Sequence, residues 1–468
     1  MSVAPARLAE RLGAEGFERL EHLDRARGLR SPRRSTSDLA PPHGETSVDC
    51  DVVFAGGGLS LLVAAEVARH GARVVVLERA AAGRGHREWN ASAEELEPLV
   101  TAEIFSRGEL AEATVARYRH GVCAFHGGTP RIVRGVLDHA VDAGRLLSAA
   151  RRACEARGVR FVDGAEVDAE AAGDRAVRVR FGRDEIVARI MVDARGASSP
   201  FATADLVCPT VGGVVRGLED VAPDVGDILV TTEHADADGR QFVWEGFPGR
   251  AGELTVYLFH YDRAESVKPG ALASLYERFF STIGRYKRGT PELVRPTFGY
   301  IPGWSRLVPA PRSPSPRIVL VGDAAARHSP LTFCGFGSML RTFRSSGARI
   351  AHAALGTDRA TGRSRSDAGV ADERIHAWTG ALARVMASGA LRGDALNHLL
   401  DVAFGTLEEM GNDAFASLLK DTMDARAFTT FLRTTARRHP SVYREVLGAL
   451  GPGASLRWAA RLAAGAVA

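Results

Sequence analysis

The sequence predicts an α/β protein in which a parallel sheet is interrupted by an antiparallel one and followed by a helical region. Three observations carry that expectation. Cys50 to Ala55 is a short apolar run that ends in Gly56-Gly57-Gly58, passes into an alanine- and leucine-rich stretch to about His70, and is followed by a second apolar run, Ala72 to Leu77. From Cys208 to about Arg263 the pattern becomes alternating, with turn residues every 8–12 positions, as in antiparallel strands. From Arg341 onward the pattern is helical, broken by the polar loop Gly356 to Asp367.

Strand, glycine turn, helix, strand and acid is the order of a dinucleotide-binding βαβ unit. Glycine lets the backbone turn tightly and approach a pyrophosphate with no Cβ in the way. The helix that opens there points free N–H groups and a positive dipole end at the phosphates. Gly56, Gly57, Gly58, Leu59 and Ser60 form this cradle. Glu78, with Arg79 beside it, lies 22 positions beyond Gly56, near the roughly 20 expected of an acid on ribose hydroxyls. Leu61 holds the third fingerprint position, where Gly or Ala is usual.

Composition narrows the class. The 468 residues suffice for two or three structural units, and 45% hydrophobic with 25% charged residues is ordinary for a globular protein. A net charge of +4 does not mark a nucleic-acid protein. Five cysteines (Cys50, Cys123, Cys154, Cys208, Cys334) in apolar surroundings, without metal spacing, read as buried, reduced thiols of a cytoplasmic protein, and no metal site is expected. There is no signal-peptide pattern and no apolar run of about 18 residues.

In order, residues 1–47 read as a helical extension and linker. A first nucleotide-binding portion covers 48–205, an antiparallel domain 206–310, the last nucleotide-binding portion 311–355, and a helical region 356–468. Ser92-Ala93-Glu94-Glu95 is a capping box that starts a helix at Ala93. Gly135 to Arg157 reads as helical; Val159 to Val162, Ala176 to Phe181 and Glu185 to Val192 read as strands, the last running into Asp193-Ala194-Arg195-Gly196. Ile228 to Thr232, Arg240 to Trp244 and Glu253 to His260 are strands of the second domain, with a helix over Gly270 to Ile283. Arg317 to Val321 is a strand ending in Gly322-Asp323, with a long helix from about Gly337.

Gly322-Asp323 stands where flavoproteins place an acid on ribityl or ribose hydroxyls; an Asp there is equally an N-cap. Gly335-Phe336-Gly337 and Ser338 follow, with flexible backbone suited to lie against an isoalloxazine ring. With the Asp193 to Gly196 turn and the first glycine cradle, these motifs resemble the flavin-dependent class related to hydroxybenzoate hydroxylase and geranylgeranyl reductase. The expected fold is therefore a Rossmann-like FAD-binding domain of the hydroxybenzoate hydroxylase/glutathione reductase type, with an inserted antiparallel substrate domain and a helical C-terminal region. FAD is favoured over NAD(P) as the bound cofactor.

A narrower resemblance rests on further residues. His86-Arg87-Glu88-Trp89-Asn90-Ala91-Ser92, Trp244-Glu245-Gly246-Phe247-Pro248, and Gly322-Asp323 through Ser329-Pro330-Leu331-Thr332-Phe333-Cys334-Gly335-Phe336-Gly337-Ser338 resemble stretches of the CruA/CruP group of lycopene cyclases. That resemblance implies Arg87 and Pro330 beside the flavin and a cyclisation of linear carotenoid ends without net redox change. It implies reduced FAD, an external donor such as NAD(P)H, and a hydrophobic isoprenoid or carotenoid substrate met at a membrane surface. An acid of raised pKa would protonate the substrate. Glu245 is the first candidate, against the plain alternative of a salt-bridged edge carboxylate. Glu233 and His234 are weaker candidates, equally read as exposed strand-end residues. His328 reads as a proton relay or as a helix-proximal polar residue, and Arg87 and Glu88 as a pair that fixes their loop. The tail from Leu456 offers Trp458 and Leu462 on one face and Arg457 and Arg461 on another, as an interfacial helix or as one packed on its own domain. The rival readings are a flavin monooxygenase or prenyl reductase on the same scaffold, and a flavin-binding protein without catalysis.

Overall fold

The structure is a computed structural model that describes residues 3–28, 39–42, 47–85, 88–202, 204–250, 252–307, 315–326, 328–332, 334–356 and 376–466. Arg87, Phe333, most of the 30–47 linker and most of the Gly356 to Asp367 loop lie outside the described residues.

The first sheet has seven strands. Arg160–Asp163, Val74–Glu78, Cys50–Ala55 and Asp184–Asp193 are parallel neighbours in that order, and Ile318–Leu320 pairs parallel with the end of Asp184–Asp193. Val177–Phe181 and Val167–Ala172 extend it as an antiparallel hairpin. The central strand Cys50–Ala55 is buried at every position, with helix residues against Val52 and Phe54 and the antiparallel hairpin residues Val167, Val177 and Val179 in the cluster of Val53 and Ala55. The helix Leu61–Arg69 is buried from Leu61 to Ala68, so it too is apolar all round.

The second sheet has eight strands and is mostly antiparallel. Its backbone is Leu206–Leu218, Leu254–Phe259, Val243–Pro248 and Val225–Val230, and the helix Ala271–Tyr286 covers its outer face through Leu272, Leu275, Tyr276, Phe279 and Ile283. Two differences from expectation have physical causes. His120–Ala124 and Arg131–Val133 join this sheet from within the 48–205 portion, through a parallel pairing of His120–Ala124 with Val225–Val230 that no local signal encodes. Gly289–Gly303 is a 15-residue strand despite Pro291, Pro296 and Pro302; only Leu206–Leu218 pairs with it, so it is an edge where missing N–H groups cost little.

The capping box at Ser92 forms as expected: the Ser92 backbone N–H and hydroxyl both donate to Glu95 at 2.9 Å, and the helix runs Ala93–Thr101. The helix expected from Gly135 starts only at Ala143, capped by Asp142, because His139–Asp142 is a strand between Glu88–Ala91 and Thr114–Arg117 in a small third sheet. The N-terminal helices Val3–Leu12 and Ala14–Gly28 pack on the outer face of the second sheet through Leu8, Leu12 and Leu20. Buried Asp24 from that extension accepts N–H bonds from Leu272 and Ala273 and so caps the covering helix, whose own cap is Gly270. The C-terminal helices, His376–Met386 through Pro452–Ala466, form one core with the inner face of the second sheet. Of the two readings of the tail, Trp458 follows the one of a helix packed on its own domain, since it is buried in that core.

Candidate active site

A cavity of about 410 Å³ lies where the C-terminal ends of the parallel strands meet the inner face of the second sheet, a usual ligand position for an open α/β sheet. One end is made of strand ends, with Gly56 packed against Ala194. Gly56 has φ +111°, and a Cβ there would sit 2.5 Å from the Ala194 carbonyl oxygen; at Gly57 it would sit 2.6 Å from the Ala82 Cβ. Neither position tolerates a side chain. A Cβ at Gly58 meets nothing within 4 Å, so the third glycine leaves open space. The Ser60 hydroxyl turns back to the Gly56 carbonyl at 2.8 Å, and Leu59 and Ser60 line the cavity. Leu61 is fully buried among aliphatic neighbours, which accounts for leucine at the third fingerprint position.

Glu78 braces this turn. Its carboxylate accepts the Gly57 N–H at 2.8 Å and the Ala80 N–H at 3.0 Å, which occupies two of about four lone-pair sites. Arg79 is exposed beside it. The Asp193 turn differs from expectation. Asp193 is wholly buried and does not line the cavity; its carboxylate accepts Arg195 at 2.8 Å and the Ser199 hydroxyl at 2.7 Å. Burial pushes the neighbouring Glu170 carboxyl up, and Arg195 against it offsets that only in part. The pair therefore shapes the turn, and the cavity receives Ala194 and Gly196 instead.

Gly322 (φ +62°) and Asp323 line the cavity next to the third parallel strand end, and the Asp323 side chain is half exposed. Buried His328 also lines it, with Nδ1 3.6 Å from the Asp323 carboxylate. The helix Gly335–Leu355 starts at the cavity and contributes Gly335, Phe336 and Ser338. The N-termini of this helix and of Leu61–Arg69 both face the cavity, which makes it favourable to negative charge. Like Asp193, the expected cofactor residues Gly56, Gly57, Gly58, Glu78 and Arg79 lie outside the cavity lining, and so do two more, Pro330 and Gly337. Pro330 is buried outside the lining, and a Cβ at Gly337 would meet Glu95 Oε1 at 2.6 Å. Gly337 is thus small to admit the Glu95–Arg341 ion pair.

The opposite end is made of side chains from the second sheet: Thr210, Ile228, Leu229, Glu245, Tyr257 and Phe259. Glu245 stands opposite Tyr257 in the antiparallel register. The alternation of Val243–Pro248 sends Val243 and Phe247 into the same inner core, while Trp244 turns outward and stacks on Tyr286 at 5.0 Å between ring centres. Glu245 is therefore a half-buried carboxyl in an apolar wall. Glu233, the other carboxylate expected to act here, is absent from the lining. It is held by Arg278 at 2.6 Å and Arg285 at 3.2 Å on the covering helix, because the chain has left the sheet at Val230. His234 instead packs edge-on against His126.

Several lining residues were missed from the sequence. Glu88, whose expected partner Arg87 lies outside the described residues, accepts the Thr255 hydroxyl at 3.4 Å and lies 3.6 Å from Arg295 of the second sheet. Trp89 packs on Phe336 at 5.3 Å. Asn90 Oδ1 and Thr332 Oγ1 are buried cavity-lining atoms without a hydrogen-bond partner among the described residues, the kind of group a ligand satisfies. Cys208 and Cys334 line the cavity as thiols, and burial pushes Cys334 up to about 12. Among the described residues no group of three or more His, Cys, Asp or Glu is arranged to hold a metal, and no helix is long and apolar enough to cross a membrane.

No family model matches this chain, and no curated protein matches it. Solved structures do. A geranylgeranyl bacteriochlorophyll reductase-like protein from Thermoplasma acidophilum aligns with TM-score 0.58 at 14% identity, over 86% of this chain and 98% of that one. The Diels-Alderase PyrE3 of the pyrroindomycin biosynthetic pathway aligns with TM-score 0.57 at 19% identity, over 80% and 81%. The halogenase PltM in complex with phloroglucinol and FAD aligns with TM-score 0.55 at 14% identity, over 88% and 94%. At these identities the likeness establishes the fold: the chain has the expected α/β architecture with its antiparallel second domain and helical end. These three proteins carry different activities, so the fold alone does not choose a reaction.

Proposed function

We propose that this protein is an FAD-dependent oxidoreductase acting on an apolar substrate seated against the inner face of the second sheet. One observation carries the reading: a single cavity joins the helix start that follows the glycine turn, at Leu59 and Ser60, to a second strand-end acid and an apolar sheet wall. That is more length than a nicotinamide fingerprint alone requires. The residues present fit FAD. Gly58 leaves room at the helix N-terminus for a pyrophosphate, Glu78 keeps lone pairs for ribose hydroxyls, and Asp323 offers an exposed carboxylate for the chain between phosphate and ring. Gly196 and Gly335 admit close approach, and Asn90 and Thr332 supply the unpartnered oxygens. Bound FAD would supply two-electron redox chemistry, with NAD(P)H as the external donor.

The chain's own residues then have distinct tasks. The two helix N-termini favour the added negative charge of a reduced cofactor. Tyr257, Phe259, Ile228 and Leu229 keep water from the reacting face. His328, beside Asp323, holds or moves a proton at its ring nitrogens. The test is turnover: flavin-loaded protein is screened with NADPH against phenolic and prenyl substrates. Substrate-stimulated NADPH oxidation with an altered product supports the reading, and NADPH oxidation that no substrate changes counts against it.

A second reading is favoured by Glu245 alone, a half-buried carboxyl in an apolar wall. It would act as the acid of a redox-neutral cyclisation of a linear carotenoid end. Co-expression with lycopene separates the two. Ring-bearing carotene that disappears in Glu245→Gln supports the cyclase, and unchanged lycopene beside a flavin-loaded protein eliminates it.

A further inference from the structure

The described residues hold four large apolar side chains that are more than a third exposed, and three lie on the helices Val442–Leu450 and Pro452–Ala466. Tyr443 and Leu447, 40% and 41% exposed, are four positions apart and share a helix face. The Ser455 hydroxyl reaches the Leu447 carbonyl at 3.4 Å, which brings Leu456, 73% exposed, to the same patch. The other face of these helices is already satisfied, since Val446, Leu450, Ala454 and Trp458 are buried in the helical core. Leu447 and Leu456 therefore lie outside that packed core, and Tyr443 sits at its border.

Charge says what would cover them. Between Ala425 and Ala466 the chain has seven arginines and one acid, Glu445. Glu445 is spent locally: it pairs with His439 at 3.0 Å and accepts the Ser441 hydroxyl, and these contacts outweigh burial to hold its carboxyl below the usual range. Arg433, Arg437, Arg444 and Arg457 are exposed. A second copy would bring two arginine-rich faces together, and a nucleic acid would leave Leu447 and Leu456 in water. A phospholipid surface meets both needs, with phosphates for the arginines and acyl chains for the leucines.

We infer that the last three helices, which carry the exposed Tyr443, Leu447 and Leu456 and the exposed Arg433, Arg437, Arg444 and Arg457, dock this protein on the surface of an anionic lipid bilayer. The helices lie on the bilayer and do not enter it as a span. The inference is independent of the flavin reading and survives its failure.

The test is co-sedimentation of the full-length protein with vesicles of phosphatidylcholine, alone or with about one third phosphatidylglycerol. Binding to the anionic vesicles is expected to exceed binding to phosphatidylcholine about tenfold. It should fall steeply between about 0.1 M and 0.5 M salt. The double variant Leu447→Glu/Leu456→Glu should lose about tenfold with unchanged circular dichroism. If that variant misfolds, Arg433→Glu/Arg437→Glu, changed only at exposed positions, should show the same loss. Equal binding to both vesicle types, no binding to either, or a solution dimer that these variants dissolve would overturn the inference.

Discussion

At one end of the cavity the walls are strand ends, at Ala194, Gly196 and Gly322, with Gly56 packed against Ala194; at the other they are side chains, at Thr210, Glu245, Tyr257 and Phe259. The glycine end gathers strand ends as far apart in sequence as Gly56 and Gly322, but its tightest part, Gly56 and Gly57, lies in one local turn whose sterics admit no side chain. The sheet end is assembled from five strands spread between Leu206 and Gly303, and each side chain there is replaceable without loss of the fold. The contrast separates what holds a cofactor from what selects a reaction.

Substitutions sharpen that contrast, and the largest effect belongs to Gly56. Gly56→Val forces a β-branched residue to φ +111° with an oxygen 2.5 Å from its Cβ. We expect a loss of about 3 kcal/mol or more in denaturant unfolding, or failure to fold. Gly58→Asp differs because the space is open: the fold should persist while FAD affinity falls by roughly 10²-fold, since a carboxylate would meet the phosphates. A Gly58→Asp protein that binds FAD normally would remove the cradle from the account.

The second sheet also has a pH signature, away from the cavity at His260, which packs edge-on against Phe242. Burial pushes the His260 imidazole down from its ordinary 6.5 to about 4; Asp262 opposes this and Arg240 adds to it. The unfolded chain takes up this proton near pH 6.5, whereas the folded chain does so only near pH 4. Stability should therefore fall by about 2–3 kcal/mol as pH drops through that window and level off below it. His260→Phe should flatten the melting temperature over the same range, and an unchanged slope would show that other groups dominate. The smallest effect is expected at Glu233→Gln, which loosens Arg278 and Arg285 on the covering helix. It should cost roughly 1 kcal/mol and leave bound flavin untouched.

Much of the glycine end was legible because its determinants are local: a strand, a turn that needs positive φ, and a helix follow one another in sequence. Leu61 was the one irregular position, and its burial explains it. The limits appear where function depends on pairing. Asp193 looked like a cofactor ligand because it ends a strand, yet Arg195 and Ser199 claim it. Glu233 and Glu245 read alike as acids on neighbouring strands, yet the chain leaves the sheet at Val230, so Glu233 goes to the arginines while Glu245 lines the cavity. Strand His139–Asp142 was hidden in a helical pattern, and Gly289–Gly303 was hidden by prolines that an edge strand tolerates. Asn90 and Thr332 carried no signal, since a missing hydrogen-bond partner is a property of the fold.

The central claim is that the cavity holds FAD. Titration of flavin-stripped protein with FAD, followed by quenching of flavin fluorescence, tests it most directly. The account predicts saturation at one FAD per chain, with strong weakening in Gly58→Asp and none in Glu245→Gln or Glu233→Gln. Absence of saturable FAD binding by folded protein, or binding that Gly58→Asp leaves unchanged, would contradict it.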